Sequence, residues 1–352
     1  MTRRNIRVGI VGAGIIGASV AYHLARRGIE VCVFERGAGP AVGTTGKSFG
    51  WVNTLFVDPA DARVFSLRRA AVEEYERLAA ELPGAFRDAS RGSLLWKATP
   101  GETENLFRTF RNAGLDVELI AGAELARREP FLRSVPPCAL SSPKDIALQP
   151  PALAATLLAA AVERGAKLFT NTQVISLCAS DGAVTGLVTA SEAIAFDLVV
   201  LAAGPWTEEL LRPLGLSFGL LISPALLLRY CSDRRLLSHI VKSPELEVRQ
   251  LPDNAMIVAR SLKDPLPDAG AIDVMGREML RRIRALVMDS ERIGFEAGVI
   301  GQRPMFPDEL PRTGHAAGCK GLYLAIGHPG VILAPLLGRL AASEIAGGAA
   351  PW

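Results

Sequence analysis

The chain has 352 residues, 49% of them hydrophobic, and carries 39 basic and 36 acidic side chains for a net charge of +3. This length allows two structural domains, and the apolar content excludes an intrinsically disordered chain. The near balance of charge gives no basic patch for a polyanion, so we expect no nucleic-acid partner.

Cysteine usage and hydropathy indicate in which cellular compartment the protein is expected. Five scattered cysteines without a C-x-x-C pair indicate a reducing compartment, which we predict to be the cytoplasm, and they define no metal site. No segment reaches 18 apolar residues without a charge or a breaker, so we expect no transmembrane helix. Thr2-Arg3-Arg4 before an apolar run resembles the start of a signal peptide, but that run contains a glycine motif and is therefore interpreted as part of the fold.

The glycine motif lies between an apolar strand and a helix near the N-terminus. It reads Gly12-x-Gly14-x-x-Gly17, and the helix that it opens ends at Gly28. The first glycine permits a tight turn, the second lets the backbone approach a pyrophosphate, and the third lets helix and strand pack closely. A second strand ends on Glu35, eighteen residues after Gly17, where a carboxylate can accept from ribose hydroxyls. Strand, helix, strand and acid together predict a dinucleotide site.

Helices and strands alternate through the rest of the chain. A loop over 37–51 is dense in Gly, Thr and Ser, and this composition suits a segment that wraps closely around a ligand. Apolar periodicity predicts helices over 59–82, 101–112, 123–129, 150–164, 271–289 and 331–345. It predicts strands over 92–97, 167–169, 173–179, 184–189, 196–201, 295–303 and 322–326, with a strand-like pattern throughout 218–260.

This distribution predicts an α/β protein with two domains. Elements typical of nucleotide binding occupy 1–82, 140–215 and 300–352, which we interpret as one discontinuous Rossmann-like domain. The sheet-rich remainder, 83–139 and 216–299, is expected to form a second α+β domain that binds the substrate.

Four stretches carry a resemblance to a known family. They are the glycine motif with Glu35, the loop at 44–50, the strand end at 199–206, and Gly301-Gln-Arg303-Pro304 followed by 327–335. In order and spacing they resemble the D-amino-acid-oxidase-like family of FAD-dependent oxidoreductases, which includes glycine, sarcosine and D-amino acid oxidases and related dehydrogenases.

The resemblance implies that the Rossmann-like domain binds FAD in an extended conformation. With no residue that marks a covalent attachment, we expect the FAD to be noncovalent. The N-terminal dipole of the last helix would stabilise negative charge on the reduced flavin. By position, the residues implied to contact FAD are Gly12, Gly14, Ile16, Gly17, Glu35, Arg36, Thr44, Thr45, Ser48, Val174, Ala203, Gly204, Gly330 and Val331.

Three residues are candidates for contact with the substrate. Arg303 matches the family position that often clamps a substrate carboxylate, for which a planar guanidinium is well suited. The alternative for Arg303 is a buried ion pair with Asp308 or Glu296. His328 is the histidine best placed for a functional role. Tyr230 is the candidate for an active-site tyrosine, and could equally be a core residue.

The function implied is an FAD-dependent oxidoreductase that dehydrogenates the C–N bond of a small amino or imino acid by hydride transfer to flavin N5. One alternative is a flavoprotein dehydrogenase subunit of a larger complex that uses an acceptor other than oxygen. Others are an NAD(P)-dependent dehydrogenase and a non-catalytic, flavin-binding interaction subunit. The sequence leaves open whether the chain forms a homo-oligomer or requires a partner subunit.

Overall fold

A computed structural model describes residues 6–348 of the chain. The helices are α1 Ile15–Ala25, α2 Ala62–Glu81, α3 Pro100–Asn112, α4 Gly122–Arg128, α5 Pro150–Val162, α6 Thr207–Leu211, α7 Ala269–Leu286 and α8 Gly330–Ile345. The strands are β1 Arg7–Val11, β2 Glu30–Phe34, β3 Trp51–Val52, β4 Ser90–Leu95, β5 Glu118–Ala121, β6 Cys138–Ala147, β7 Lys167–Phe169, β8 Val174–Ser180, β9 Ala183–Thr189, β10 Ala193–Ala195, β11 Leu198–Leu201, β12 Leu221–Cys231, β13 Ile240–Lys242, β14 Glu247–Gln250, β15 Met256–Ser261, β16 Gly294–Met305, β17 Arg312–His315 and β18 Leu322–Ile326.

A six-stranded sheet in the order β17-β18-β11-β1-β2-β7 contains the glycine motif. Its strands are parallel except β17, which is antiparallel to β18. Strand β1 lies between β11 and β2, the arrangement at which ligands bind in open parallel sheets. The glycine motif therefore starts at the point in the sheet where a dinucleotide site is expected.

Both faces of the strands β1, β2, β11 and β18 are buried, which explains why these strands read as continuous apolar runs. Val8, Ile10 and Val200 belong to a core that also contains the apolar residues of α1, α5 and α8. Val11 and Leu201 point to the other face, where they join a core formed with the antiparallel sheet β10-β9-β8. Alternate residues of one strand thus serve two cores, as the two-residue repeat of a strand requires.

A nine-stranded sheet forms the second layer, in the order β16-β12-β15-β14-β13-β4-β6-β3 with β5 also paired to β6. Most of its neighbours are antiparallel, and β13 and β4 are parallel. Helix α7 packs on one face through Met279 and Ile283, which join the core that contains Leu228 and Val248. The predicted α/β class with a second, sheet-rich part is confirmed by this architecture.

The sheets place three stretches differently from the predicted domain boundaries. Strand β6, the two-residue strand β3 and the C-terminal half of β16 all pair within the nine-stranded sheet. Residues 51–52, 140–147 and 300–305, which were predicted to lie in the nucleotide-binding part, thus pair within the second sheet. The division into two domains stays a prediction. No helix within residues 6–348 is both long enough and apolar enough to cross a membrane.

Candidate active site

A cavity of about 1370 Å³ brings together most of the residues predicted to bind FAD or substrate. Its walls include the carboxyl ends of β1 and β2 and parts of β12, β15 and β16, so both large sheets contribute to it. The predicted residues that line it are Gly12, Gly14, Ile16, Glu35, Arg36, Thr44, Thr45, Ser48, Val174, Ala203, Gly204, Arg303, His328, Gly330 and Val331. Contact of these residues with FAD or substrate stays a prediction.

The glycine turn fits tightly between β1, α1 and β11. Gly12 has a φ of +102°, and a Cβ there would lie 2.6 Å from the carbonyl oxygen of Ala202. A Cβ on Gly17 would lie 2.0 Å from the carbonyl oxygen of Gly12, so Gly17 supports the turn from behind the cavity wall. By contrast, a Cβ on Gly14 would meet only Thr45 Oγ1 within 4 Å, at 3.3 Å. The space in front of Gly14 belongs to the cavity.

Glu35 holds the two turns beside the cavity. Its Oε2 accepts from the backbone N–H of Ala13 at 2.9 Å and its Oε1 from the N–H of Gly37 at 2.8 Å. Each carboxylate oxygen can accept more than one hydrogen bond, so this arrangement is compatible with the predicted ribose contact. Glu35 therefore also has a structural function that the sequence motif alone did not predict.

The loop that follows β2 closes over the start of α1. Thr45 Oγ1 accepts from the N–H of Ile15 at 3.1 Å and thus caps α1, whose N-cap residue Gly14 offers no side chain. Thr44 Oγ1 donates to the carbonyl oxygen of Gln302 at 2.8 Å and ties the loop to β16. Arg249, whose pKa burial lowers to about 9, donates to the carbonyl oxygens of Phe49 and Leu148 at 2.6 and 2.8 Å. The loop is therefore held by helix α1 and by the nine-stranded sheet.

In the cavity wall beside β2, an arginine side chain stacks on a tryptophan ring. The guanidinium carbon of Arg36 lies 3.4 Å from the ring centroid of Trp206, which comes directly after Gly204 and Pro205. Val174 at the start of β8 lines the same cavity. A cation stacked on an indole forms a flat surface of the kind that suits a planar base.

Helix α8 starts at the cavity. No side chain caps its N-terminus, and Gly330 and Val331 line the cavity wall. The hydroxyl of Tyr75 on α2 donates to the carbonyl oxygen of Val331. Because the first N–H groups of a helix are unpaired and attract anions, this end is suited to negative charge.

Arg303 lies on β16 and is hydrogen-bonded to neighbouring strands. Its Nε donates to the carbonyl oxygen of Ser223 at 3.1 Å, and its Nη2 donates to Ser223 Oγ at 2.7 Å and to Ser261 Oγ and the Pro224 carbonyl at 3.3 Å. Within residues 6–348 no carboxylate lies within 4.0 Å of it, so the ion pair considered as an alternative is not formed. The two proposed partners pair elsewhere, Asp308 with Arg312 and Glu296 with Arg229.

His328 lines the same cavity as Arg303 and Arg68, and its imidazole is neutral. Burial, together with the positive charges of Arg303 and Arg68, lowers the pKa of the imidazole to about 3. The imidazole is therefore uncharged across the physiological pH range.

Arg68 is a lining residue that sequence reasoning missed. Burial lowers the pKa of this guanidinium to about 10, while the charge of Glu309 acts in the opposite direction. In the described part of the chain it has no hydrogen-bond acceptor and no carboxylate within 4.0 Å. The available signal was a basic residue in the apolar face of α2, four residues after Val64 and three before Ala71.

Tyr230 is a core residue, and its assignment to the active site was wrong. The side chain is fully buried in the core beneath α7, its hydroxyl donates to the Gly276 carbonyl at 3.0 Å, and it does not line the cavity. The strand alternation that brings Leu227 to the cavity directs Tyr230 to the opposite face.

Comparisons with known proteins agree with this geometry. Residues 7–344 match the family described as "DAO: FAD dependent oxidoreductase". The chain belongs to this family. It is 29% identical to a glycine oxidase of Geobacillus kaustophilus over 96% of the chain and 92% of that protein. The crystal structure of glycine oxidase from Geobacillus kaustophilus superposes with a TM-score of 0.85 at 26% identity and covers 99% and 96% of the two chains. Iminodiacetate oxidase from Chelativorans sp. BNC1 has the same fold, with a TM-score of 0.86 at 24% identity and coverage of 98% and 97%.

The family's cofactor fits the residues that are present. The cavity opens in front of Gly14, where a pyrophosphate is expected, and the uncapped α8 terminus offers N–H donors to an anionic group. The protein is thus an FAD-dependent oxidoreductase of the DAO family, as predicted from the sequence.

Proposed function

We propose that this DAO-family enzyme dehydrogenates the C–N bond of a small amino or imino acid. One observation carries the proposal: the cavity that contains the glycine turn is also lined by two guanidinium groups, those of Arg303 and Arg68, and by the neutral imidazole of His328. Guanidinium groups are the side chains best suited to a carboxylate. A small carboxylate-bearing amine therefore matches the polar groups of the cavity.

The same cations favour the reactive form of the substrate. A nearby positive charge lowers the pKa of an ammonium group, because it disfavours the charged form. Arg303 and Arg68 would thus help to hold the substrate nitrogen as a neutral amine, whose lone pair forms the new C=N bond. When bound, FAD supplies the oxidant, which accepts a hydride from the substrate carbon at N5.

His328 is proposed to orient the substrate. With a pKa of about 3, its imidazole is a poor proton acceptor at neutral pH, and an efficient general base has a pKa near the working pH. A neutral ring can still donate one hydrogen bond and accept another. We therefore expect the amine of the substrate, and not His328, to give the main pH dependence of flavin reduction.

The named relatives support the choice of substrate class. Proteins similar to this chain over nearly their full length are named as glycine oxidases. A small amino or imino acid agrees with those names and with the cationic cavity.

The test is a substrate panel under anaerobic conditions. Purified protein is mixed with glycine, sarcosine, D- and L-amino acids, prolines and iminodiacetate, and bleaching of the flavin absorbance is followed. Each acid is paired with the corresponding amine that lacks the carboxylate. We expect at least one acid to bleach the flavin and its amine partner to fail. Bleaching by simple amines alone, or by none of the compounds, would contradict the proposal.

A further inference from the structure

The hydrogen bonds of Arg303 limit what it can offer to a substrate. A bidentate clamp on a carboxylate requires two parallel N–H groups of the guanidinium fork. Nε and Nη2 of Arg303 already donate to Ser223, Pro224 and Ser261. Within residues 6–348, Nη1 is the nitrogen of this guanidinium without a protein acceptor. Arg303 therefore presents one edge nitrogen and its charge to the cavity.

Arg68 presents its whole guanidinium. In the described chain none of its N–H groups has an acceptor, and the side chain lines the cavity. The exposed carboxylate of Glu309 acts on it through space without a hydrogen bond. A guanidinium withdrawn from water without a partner is costly, and a carboxylate ligand would relieve that cost.

The position of Arg68 is fixed by a rigid element. Helix α2 is held by buried Val64 and Ala71 and by the hydrogen bond from Tyr75 to the Val331 carbonyl at the start of α8. Arg68 is also close enough to His328 to lower the pKa of that imidazole, as Arg303 is. The two guanidinium groups therefore act on the same part of the cavity.

We propose that Arg68, and not Arg303, forms the main hydrogen-bonded ion pair with the substrate carboxylate. The proposal rests on the proposed function, since it assigns the carboxylate contact of that same site. Arg303 then contributes its charge and one hydrogen bond from Nη1, and its other hydrogen bonds join β12, β15 and β16.

The test uses acetate as a carboxylate probe that needs no turnover. FAD-loaded protein is titrated with acetate, and its dissociation constant is read from the perturbation of the flavin spectrum, with acetamide as the uncharged comparison. Loss of charge-assisted hydrogen bonds in Arg68→Gln should weaken acetate binding about ten- to a hundredfold. Arg303→Gln should weaken it less, and acetamide should bind all variants alike.

The matched control is Arg69→Gln, the same change at the next residue. Arg69 lies 3.8 Å from Glu73 on the outer side of α2, and it does not line the cavity. This variant should bind acetate like the parent protein.

Three results would overturn the proposal. The first is a change of less than about twofold in acetate binding by Arg68→Gln, well below the effect of a lost charged hydrogen bond. The second is a larger loss in Arg303→Gln than in Arg68→Gln. The third is loss of FAD from both Arg68→Gln and the charge-conserving Arg68→Lys, which would give Arg68 a structural function. A failed substrate panel with intact acetate binding would instead refute only the proposed reaction.

Discussion

At the scale of the residue, we expect glycine to be needed at position 14 because of the space that a side chain would occupy, and not because of the backbone conformation. Its φ of −68° and ψ of 177° are open to any residue, so a side chain would not strain the backbone. A Cβ would lie 3.3 Å from Thr45 Oγ1, and further atoms would enter the space predicted for the pyrophosphate. We expect Gly14→Val to fold but to lose FAD affinity by about tenfold or more, which corresponds to about 1.4 kcal/mol.

The measurement is the ratio of flavin to protein absorbance after purification, together with the circular dichroism spectrum. Gly101→Val is the matched control, because a Cβ at Gly101 meets nothing within 4 Å and this glycine does not line the cavity. A fully flavin-loaded Gly14→Val protein would show that FAD does not lie where the motif places it.

At the residue scale, the backbone form of the glycine turn could be predicted because its contacts are local. The turn from Gly12 to Glu35 lies within one β-α-β unit, so the order of glycines and acid fixes its form. Thr45 was expected at the cofactor, but its capping of Ile15 depends on a loop thirty residues away. Arg68 was missed because α2 alone does not indicate what its face packs against. Such contacts are determined by tertiary packing.

At the scale of the element, β6 shows how packing overrides local sequence. The segment contains Ser141, Ser142, Pro143, Lys144 and Asp145, and was not predicted as a strand. The structure pairs it with β3, β4 and β5, and the register with β4 shifts across this stretch. A proline is tolerated at such an irregularity, and neighbours on both sides supply the pairing that low strand propensity does not.

Asp145 joins three strands beside the cavity. This buried carboxylate accepts from Trp51 Nε1, Ser93 Oγ and Ser142 Oγ, each at 2.7 Å. Burial raises its pKa to about 6, although the three hydrogen bonds oppose the shift. Trp51 lines the cavity, so this buried carboxyl group helps to position part of the wall.

The raised pKa of Asp145 gives a pH dependence with a definite sign. A group that binds its proton more tightly when folded favours folding below its unfolded pKa of about 3.9, and this contribution is lost as pH rises through about 6. Between pH 5 and pH 7.5 the carboxyl group should cost the folded state on the order of 1 kcal/mol. Asp145→Asn should remove this dependence of the free energy of unfolding on pH.

The check is urea unfolding of parent and variant at both pH values with equal excess FAD. Asp273→Asn, an exposed carboxyl group on α7, is the control and should keep the parent slope. If the difference in free energy of unfolding between the parent and Asp145→Asn did not change with pH, the carboxyl group would be ionised throughout this range, or neutral throughout it.

At the scale of the whole molecule, both large sheets line the cavity. The strands of these sheets could be predicted only in part from the sequence. Apolar runs predicted the five parallel strands of the six-stranded sheet, whereas the edge strand β17 was not predicted. The pairing of β3, β6 and β16 was not predictable, because it joins segments that are distant in sequence. The cavity residues supplied by β12, β15 and β16 therefore had to be read from the structure, apart from Arg303.

The last prediction concerns how the whole protein holds its cofactor. A covalent flavin link requires a nucleophilic side chain at the isoalloxazine ring. Among the described residues that line the cavity there is no cysteine, and the histidine present is His328, whose surroundings are cationic. The predicted binding through the glycine turn, the loop at 44–51 and the α8 terminus would use backbone N–H groups, whose arrangement is lost on unfolding. We therefore expect acid or heat to release intact FAD without proteolysis.

The measurement is flavin absorbance in the supernatant and pellet after precipitation, with chromatography to distinguish FAD from FMN. Readdition of FAD to apoprotein prepared under mild conditions should restore the spectrum. Flavin that stayed with the denatured polypeptide would disprove noncovalent binding, whereas colourless protein that bound NAD would refute the cofactor itself.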